Sequence, residues 1–61
     1  MERTVREIRI QSGLTASYVA EKLNLKKASY LRRERGEVDF SAREIKLFSI
    51  LTGVPVLNIK V

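Results

Sequence analysis

The chain has 61 residues, of which 12 are Lys or Arg and 7 are Asp or Glu, so its net charge is +5 and its pI is near 10.1. We expect a single domain over residues 1–61, because typical domains contain about 100 residues or more. Cys and His do not occur, which excludes disulfides, thiol or imidazole catalysis and the usual zinc ligands. The basic excess favours a polyanionic partner, with nucleic acid ahead of an anionic membrane surface.

Neither a membrane span nor a signal peptide is predicted. An uncharged run covers residues 48–59, but it includes Ser, Thr, Gly, Pro and Asn and is shorter than the roughly 18 apolar residues that a span requires. The N-terminal segment MERTVREIR is charged throughout and lacks the apolar stretch of a signal peptide. We therefore expect a soluble protein that stays in the cytoplasm.

Apolar spacing predicts a first helix close to the N-terminus and a second one after a short turn. Val5 and Ile8 are three residues apart, and Gly13 suits the position just beyond a helix end. Thr15 suits the N-cap of the second helix. The inward face of that helix combines three apolar residues, Val19, Ala20 and Leu23.

A tight corner and a cationic third helix come next. Asn24 tolerates the left-handed backbone of such a corner, and Leu25 is expected to pack beneath it. The third helix is predicted from about residue 27 to 35, with Gly36 as its stop. The surrounding segment KKASYLRRERGE has five positive charges and few apolar residues, which is unusual for a helix that only supports a core.

The fourth helix has the clearest predicted start. Ser41 and Glu44 have the S-x-x-E spacing of a capping box, and Phe40 and Ile45 have the spacing of a hydrophobic staple. The helix is predicted to end at Gly53. The tail VPVLNIKV allows two predictions. It forms either a short fifth helix or a strand in which Val56, Asn58 and Lys60 alternate with Leu57, Ile59 and Val61.

The stretch GLTASYVAEKLNLKKASYLRRERG, residues 13–36, resembles the Cro and phage-repressor (Xre-like) family of helix-turn-helix regulators, whose pattern runs roughly G-L-T-Q-x-x-L-A-x-x-L-G-V-S-x-x-T-I-x-x-x-E-R-G. The matching residues are Gly13, Leu14, Thr15, Val19, Ala20, Leu23, Leu25, Ser29, Tyr30, Glu34, Arg35 and Gly36. The resemblance covers nearly the whole chain without gaps. It implies an all-α fold, a compact bundle of four to five short helices of the lambda-repressor-like kind, with the helix-turn-helix at about residues 15–35.

Several residues depart from the family pattern. Ala16 replaces a Gln that often contacts phosphate, so that contact is not expected here. Asn24 replaces the corner glycine, which is a mild change. Lys26 replaces the Ser or Thr that usually caps the recognition helix, and a lysine cannot accept hydrogen bonds from the first backbone N–H groups. After the helix, Glu37 and Asp39 occur where the family is commonly basic.

In this motif the second of its two helices, here the third helix of the chain, enters the major groove by its N-terminal end. The resemblance implies four base-reading residues, Lys27, Ala28, Leu31 and Arg32. Their spacing places them together on one helix face; Lys and Arg donate to guanine, and Ala and Leu suit a thymine methyl group. For Leu31, partial burial against the core is the alternative. Phosphate contacts are expected from Thr15, Ser17, Lys26, Ser29 and Arg35, where Thr15 and Ser29 have helix capping as the alternative role.

The resemblance also implies a partly buried pair between Arg9 in the first helix and Glu34 at the end of the third. A planar guanidinium can make two parallel hydrogen bonds to a carboxylate. Tyr30 occupies an aliphatic position of the family pattern, which favours the core over stacking on a base. At the tail, Leu57 and Val61 exceed what so small a core needs, and they are candidate contacts of a homodimer on DNA.

Together these features predict a sequence-specific binder of double-stranded DNA, most simply a small Cro-like repressor of the phage or prophage kind that is nucleoid-associated while bound. No nucleophile with an oriented base is present, so we expect no enzyme activity, and no cofactor, metal or small-molecule ligand. Two alternatives are a protein-interaction module, such as the antitoxin of a toxin–antitoxin pair, and a DNA-bending or excision factor. The cationic run could also be a solvated face, and membrane binding is disfavoured because no helix has a large apolar face.

Overall fold

The computed structural model describes residues 2–61, and four α-helices make up most of this range. They are α1 (Val5–Gln11), α2 (Ala16–Lys22), α3 (Lys27–Glu34) and α4 (Ala42–Thr52). A 3-10 helix over Val56–Asn58 follows, and two short strands, β1 (Arg3–Thr4) and β2 (Ile59–Lys60), flank the helical part of the chain. The all-α prediction is confirmed, with α2 and α3 as the helix-turn-helix.

The predicted helix starts at Thr15 and Ser41 are confirmed. The Thr15 hydroxyl accepts the backbone N–H of Tyr18 at 3.1 Å. Ser41 accepts the N–H of Glu44 at 3.1 Å, and the Glu44 carboxylate accepts the N–H of Ser41 at 2.9 Å, which completes the capping box. These bonds satisfy N–H groups that have no partner within the helix.

A second capping box starts α1 and was not among the predicted features. Thr4 accepts the N–H of Glu7 at 3.1 Å, and Glu7 accepts the N–H of Thr4 at 2.9 Å. The same T-x-x-E spacing in the segment TVRE could have revealed it. Because Thr4 also belongs to β1, this cap joins α1 directly to the strand pair.

The turn between α2 and α3 has the backbone that was predicted for it. Asn24 has a φ of 59°, in the left-handed region, which an asparagine adopts more easily than most residues. Leu25 donates its N–H to the Ala20 carbonyl at 2.8 Å and packs, partly buried, against the core. The corner is therefore closed by a backbone bond and held from below by an apolar side chain.

The core lies where all four helices and β2 meet. Its members are Val5, Ile8, Val19, Ala20, Leu23, Tyr30, Ile45, Phe48 and Ile59. Tyr30 and Phe48 are fully buried, so the core position predicted for Tyr30 is confirmed. Within residues 2–61, no buried side-chain nitrogen or oxygen lacks a hydrogen-bond partner.

The C-terminal tail combines the two conformations that the sequence left open. Residues 56–58 form the 3-10 helix, and Ile59–Lys60 then pair in parallel with Arg3–Thr4. The 3-10 turn breaks the two-residue period of a strand. As a result Leu57, predicted on the same face as Ile59, is exposed while Ile59 is buried. Val61 was predicted on that face too, but it lies beyond β2 and is exposed.

Candidate nucleic-acid interface

The rotation of α3 about its own axis decides which of its side chains face solvent. Tyr30 anchors the inward side because it is completely buried. Ala28 and Arg32 lie two residues before and two residues after it, about 200° around the helix, and both are exposed. Lys27 is exposed at the N-terminal end of the same helix. The structure thus brings three of the four predicted base-reading residues together on an open surface.

Leu31 is divided between that surface and the core. It is only partly exposed and packs against the buried cluster. Its position corresponds to the packing role that the sequence left open, and the outer part of its side chain borders the exposed face. The polar donors of this face are therefore Lys27 and Arg32.

Two predicted phosphate contacts lie at the start of α2. Thr15 and Ser17 are both exposed. The Thr15 hydroxyl already accepts a backbone bond as the N-cap, which leaves its proton available as a donor. Ala16 between them is partly buried and packs against the core, so it cannot replace the polar contact of the family pattern.

The other three residues predicted to contact phosphate differ in their exposure and in the hydrogen bonds that they already make. Lys26 is exposed and precedes α3. Ser29 is partly buried, and its backbone carbonyl accepts a bond from Arg33 at 3.0 Å. Arg35 is exposed but donates to Glu37 at 2.7 Å. Since this pair is solvent-exposed and worth about 0–1 kcal/mol, a phosphate can compete with Glu37 for the guanidinium.

The N-terminus of α3 has no side-chain cap. Lys26 has the extended backbone of an N-cap residue, but its side chain makes no capping hydrogen bond. The first N–H groups of a helix carry partial positive charge. Open N–H groups beside Lys26 and Lys27 make this end of α3 the electropositive one, which matches the end that enters a groove in this motif.

The pair that the resemblance implied between helices one and three is present in the structure. Arg9 donates from Nε to Glu34 Oε2 at 2.8 Å and from Nη2 to Glu34 Oε1 at 3.1 Å. The two side chains are 15% and 4% exposed. Arg9 also donates to the Leu14 carbonyl at 3.0 Å, so one guanidinium joins α1, the loop before α2 and the end of α3.

Tyr30 adds a third donor to this network. Its hydroxyl donates to Glu34 Oε2 from one turn earlier on α3. Burial raises the pKa of Glu34, but the hydrogen bonds from Arg9 and Tyr30 lower it by more, so it lies below its usual value. Burial and the bond to Glu34 raise the pKa of Tyr30 well above its usual value. The carboxylate is therefore charged and the phenol remains a donor at neutral pH. The four-residue spacing of Tyr30 and Glu34 could have indicated this bond.

A second ion pair near α3 was not predicted. Arg33 donates from Nε to Glu44 Oε1 at 3.0 Å, and both side chains are mostly buried. No sequence pattern indicates this pair, because its members are eleven residues apart and belong to different helices. In the sequence Arg33 belongs to the cationic run, and Glu44 has the spacing of the capping box.

The candidate dimer residues are strongly exposed. Leu57 is 88% and Val61 is 85% exposed. Ile50 on α4 and Val56 beside Leu57 are exposed as well, and neither was predicted. The C-terminal part of the chain thus displays several exposed apolar side chains.

A groove lies away from the N-terminal end of α3. It has a volume of about 580 Å³ and runs along the C-terminal end of α3, the loop at residues 36–40 and the strand pair. In the part of the chain that the structure describes, no cluster of His, Cys, Asp or Glu is suited to hold a metal ion. None of the helices there combines the length and the apolar character needed to cross a membrane.

Comparison with known proteins gives one match. A family model described as helix-turn-helix matches residues 5–58. The matched range includes α1 to α4 and the 3-10 helix, so it covers Arg9 as well as the two helices of the motif itself. No curated protein and no solved structure was found to match.

Proposed function

The chain belongs to the Xre- and lambda-repressor-like helix-turn-helix family of DNA-binding regulators, and we propose that it is a small Cro-like repressor that recognises its operator with α3. The observation that carries this proposal is the setting of α3. Burial of Tyr30 turns Ala28 and Arg32 outward, beside Lys27 at the uncapped end. An exposed, cationic and uncapped helix end suits insertion into the major groove.

Base recognition is assigned to three side chains. Arg32 and Lys27 donate to the O6 and N7 atoms of guanine, and Ala28 contacts a thymine methyl group. Leu31 completes the surface where its outer part is exposed. A protein of this kind represses by occupying promoter DNA and performs no chemistry.

Backbone contacts are assigned to Thr15, Ser17, Lys26, Ser29 and Arg35. Such contacts supply much of the affinity but no direct sequence information. Each phosphate neutralised by a cation contributes about −0.9 to the slope of log K against log salt. With about five phosphate contacts per protomer, of which Lys26 and Arg35 carry charge, the affinity falls steeply as salt is added.

The functional unit on DNA is assigned as a homodimer. Family members with this motif bind two half-sites related by two-fold symmetry. Leu57 and Val61 supply the contact in this proposal, and their exposure of 88% and 85% supports it. Half-sites would then lie about 10 base pairs apart, or a multiple of that distance.

A selection from random duplexes tests the function most directly. We expect enrichment of a two-fold symmetric sequence, and we expect the affinity for it to fall with salt. No enriched sequence, together with an affinity insensitive to salt, would contradict the proposal. A direct repeat, or a single half-site bound by one protomer, would contradict only the dimer.

The exposed apolar tail favours one second candidate, a protein-interaction module such as an antitoxin. In that case Ile50, Leu57 and Val61 would contact a different polypeptide. Purification of the untagged chain from its natural host distinguishes the two. A stoichiometric second polypeptide that is lost on Leu57→Asp supports the module, and a homodimer lost on the same change supports the repressor.

A further inference from the structure

Backbone packing holds α3 mainly on one side. The helix packs chiefly against α2, and it has few close backbone neighbours in α1 or α4. Apart from the packing of Tyr30 and Leu31 in the core, polar side chains make further connections at its C-terminal end. Glu34 connects to Arg9 of α1, and Arg33 connects to Glu44 of α4.

The Arg33 guanidinium makes two hydrogen bonds to other parts of the protein. Its Nε donates to Glu44 at 3.0 Å, and its Nη1 donates to the Ser29 carbonyl one turn earlier, also at 3.0 Å. The side chain is 20% exposed, whereas the neighbouring Arg32 is exposed. Two arginines that are adjacent in sequence therefore have opposite surroundings.

The acceptor of this bond is itself held in place. Glu44 Oε1 also accepts the backbone N–H of Ser41 at 2.9 Å, as part of the capping box that starts α4. The Glu44 side chain is 14% exposed. A carboxylate that caps its own helix cannot follow Arg33 if α3 turns, so it is a fixed reference point.

We propose that Arg33 and Glu44 are positioning residues for DNA recognition, and that their ion pair acts together with the buried Tyr30 to fix the rotation of α3 about its axis. This inference rests on the proposed function of α3 as the recognition helix. A helix with side chains has a radius of about 5–6 Å, so a rotation of about 20° moves its outer atoms by roughly 2 Å. Hydrogen bonds to a base edge do not tolerate such a shift. A mostly buried pair adds little net stability, but its hydrogen-bond geometry is satisfied in only one orientation of the helix.

The alternative is that Arg33 contacts phosphate like an ordinary cation of a basic helix. The two roles predict opposite effects for Glu44→Gln, which retains the side-chain oxygen that caps α4. If charge alone matters, removal of a negative charge near DNA raises the affinity for all duplexes. If the pair positions α3, loss of the carboxylate charge that holds the Arg33 guanidinium lowers the affinity for the selected duplex relative to a scrambled one.

The experiment compares Arg33→Met, Glu44→Gln and the double variant on the selected and a scrambled duplex. We expect each single variant to lower the ratio of the two affinities about tenfold, and the double variant to lower it no further, because both remove one coupled interaction. The salt slope should not change. Arg43→Met removes an exposed arginine next to Glu44 on α4 and serves as the matched control, with the ratio unchanged.

Arg33→Lys distinguishes the hydrogen-bond geometry of Arg33 from its positive charge, because this variant keeps the net charge of the protein. A lysine retains the positive charge but cannot bond both Glu44 and the Ser29 carbonyl in the fixed geometry of a guanidinium. We expect it to lower the ratio as Arg33→Met does. Retention of the full ratio in Arg33→Lys, or a salt slope reduced by about 0.9 per protomer in Arg33→Met, would overturn the inference.

A measurement without DNA keeps this inference distinct from the proposed function. Residual dipolar couplings of backbone amides report the orientation of α3 relative to α1 and α4 in the free protein. We expect this orientation to change in Arg33→Met and in Glu44→Gln, and couplings that fit the wild-type orientation in both would overturn the inference. If Arg32→Ala also leaves the affinity ratio unchanged, the proposed function of α3 has failed, and the couplings alone decide whether the pair orients the helix.

Discussion

The two ends of α3 are stabilised in different ways. At its C-terminal end, Arg33 and Glu34 make hydrogen-bonded ion pairs to neighbouring helices, with side chains that are at most 20% exposed. At its N-terminal end, Lys26 provides no cap, and Lys27 and Ala28 are exposed. One end is held by the protein and the other has polar groups free for a ligand, which is how a rigid element can present an open binding surface.

The other three helices show what α3 lacks. A threonine or serine hydroxyl caps each of them, at Thr4, Thr15 and Ser41. Such a cap contributes about 1 kcal/mol. The missing cap therefore makes α3 intrinsically weaker at the end that is proposed to meet DNA.

Glu34→Gln should cause the largest loss of folding stability, because Glu34 belongs to the ion pairs at the C-terminal end of α3. The amide offers one acceptor oxygen where the carboxylate receives two bonds from Arg9 and one from Tyr30, and it removes the counter-charge of a mostly buried guanidinium. We expect a loss of about 3 kcal/mol, a large share of the stability of so small a domain. In thermal unfolding this corresponds to a fall in Tm of more than about 10 °C.

Glu37→Gln is the matched control for that change. It breaks the pair with Arg35, whose two side chains are 59% and 55% exposed, and an exposed pair is worth about 0–1 kcal/mol. Equal, small shifts in Tm for the two variants would show that Glu34 adds no more than a surface charge.

The pH dependence of the free energy of unfolding should show the contribution of the ionised Glu34 carboxylate. The folded pKa of Glu34 lies below the ordinary value of 4.5, because the hydrogen bonds from Arg9 and Tyr30 outweigh burial. Its contribution is therefore fully present above pH 4.5 and is lost as the pH falls through the folded pKa. Urea unfolding of wild type and Glu34→Gln should show a large difference at pH 7 that shrinks in acid. A difference that stays constant from pH 7 to pH 3 would contradict the assignment.

Replacement of the whole network by apolar residues should restore stability only if Tyr30 is included. Arg9→Met with Glu34→Leu removes both charges but leaves the buried Tyr30 hydroxyl without its acceptor. The additional change Tyr30→Phe should recover about 1–3 kcal/mol, the cost of an unsatisfied buried donor. Urea denaturation of the double and triple variants measures this step. Equal stability of the two would mean that the hydroxyl finds another partner.

Arg32→Ala tests the open face of α3. We expect a loss of about 1–3 kcal/mol on the selected duplex and a much smaller loss on a scrambled one, because a base contact rather than a phosphate contact is removed. Lys27→Ala should act in the same direction. Lys60→Ala, a change of an exposed lysine in β2, should leave both affinities unchanged. An equal loss on all duplexes would mean that Arg32 contacts phosphate and that α3 is rotated from the proposed setting.

The smallest effect is expected from Lys26→Ser, which gives the open end of α3 the cap of the other helices. Stability should rise by about 0.5–1 kcal/mol, while the salt slope should become less steep by about 0.9 for the cation lost from each protomer. Urea unfolding and a salt titration of binding measure the two changes. A variant that gains no stability would show that the first N–H groups of α3 are already satisfied.

The contrast between the two ends also shows how far sequence reasoning extends. The exposed face at Lys27, Ala28 and Arg32 could be predicted, because the family resemblance implies these positions and residue spacing within one helix places them on one surface. Arg33 could not be separated from Arg32 in the same way. Its role depends on Glu44, which comes near it only after the chain has turned through the loop at residues 36–40.

The sequence by itself determined where most helices begin and end. The residues responsible act on backbone groups within a few positions of themselves, so a short stretch of sequence is enough to predict their effect. They are Thr15, Ser41 with Glu44, Asn24 and Gly53. Tertiary structure decided the rest: the inward turn of Arg33 toward Glu44, and the parallel pairing of β2 with β1, in which Ile59 is buried. In each of these cases the partner is distant in sequence, and burial, which exists only in the folded chain, gives the contact its strength.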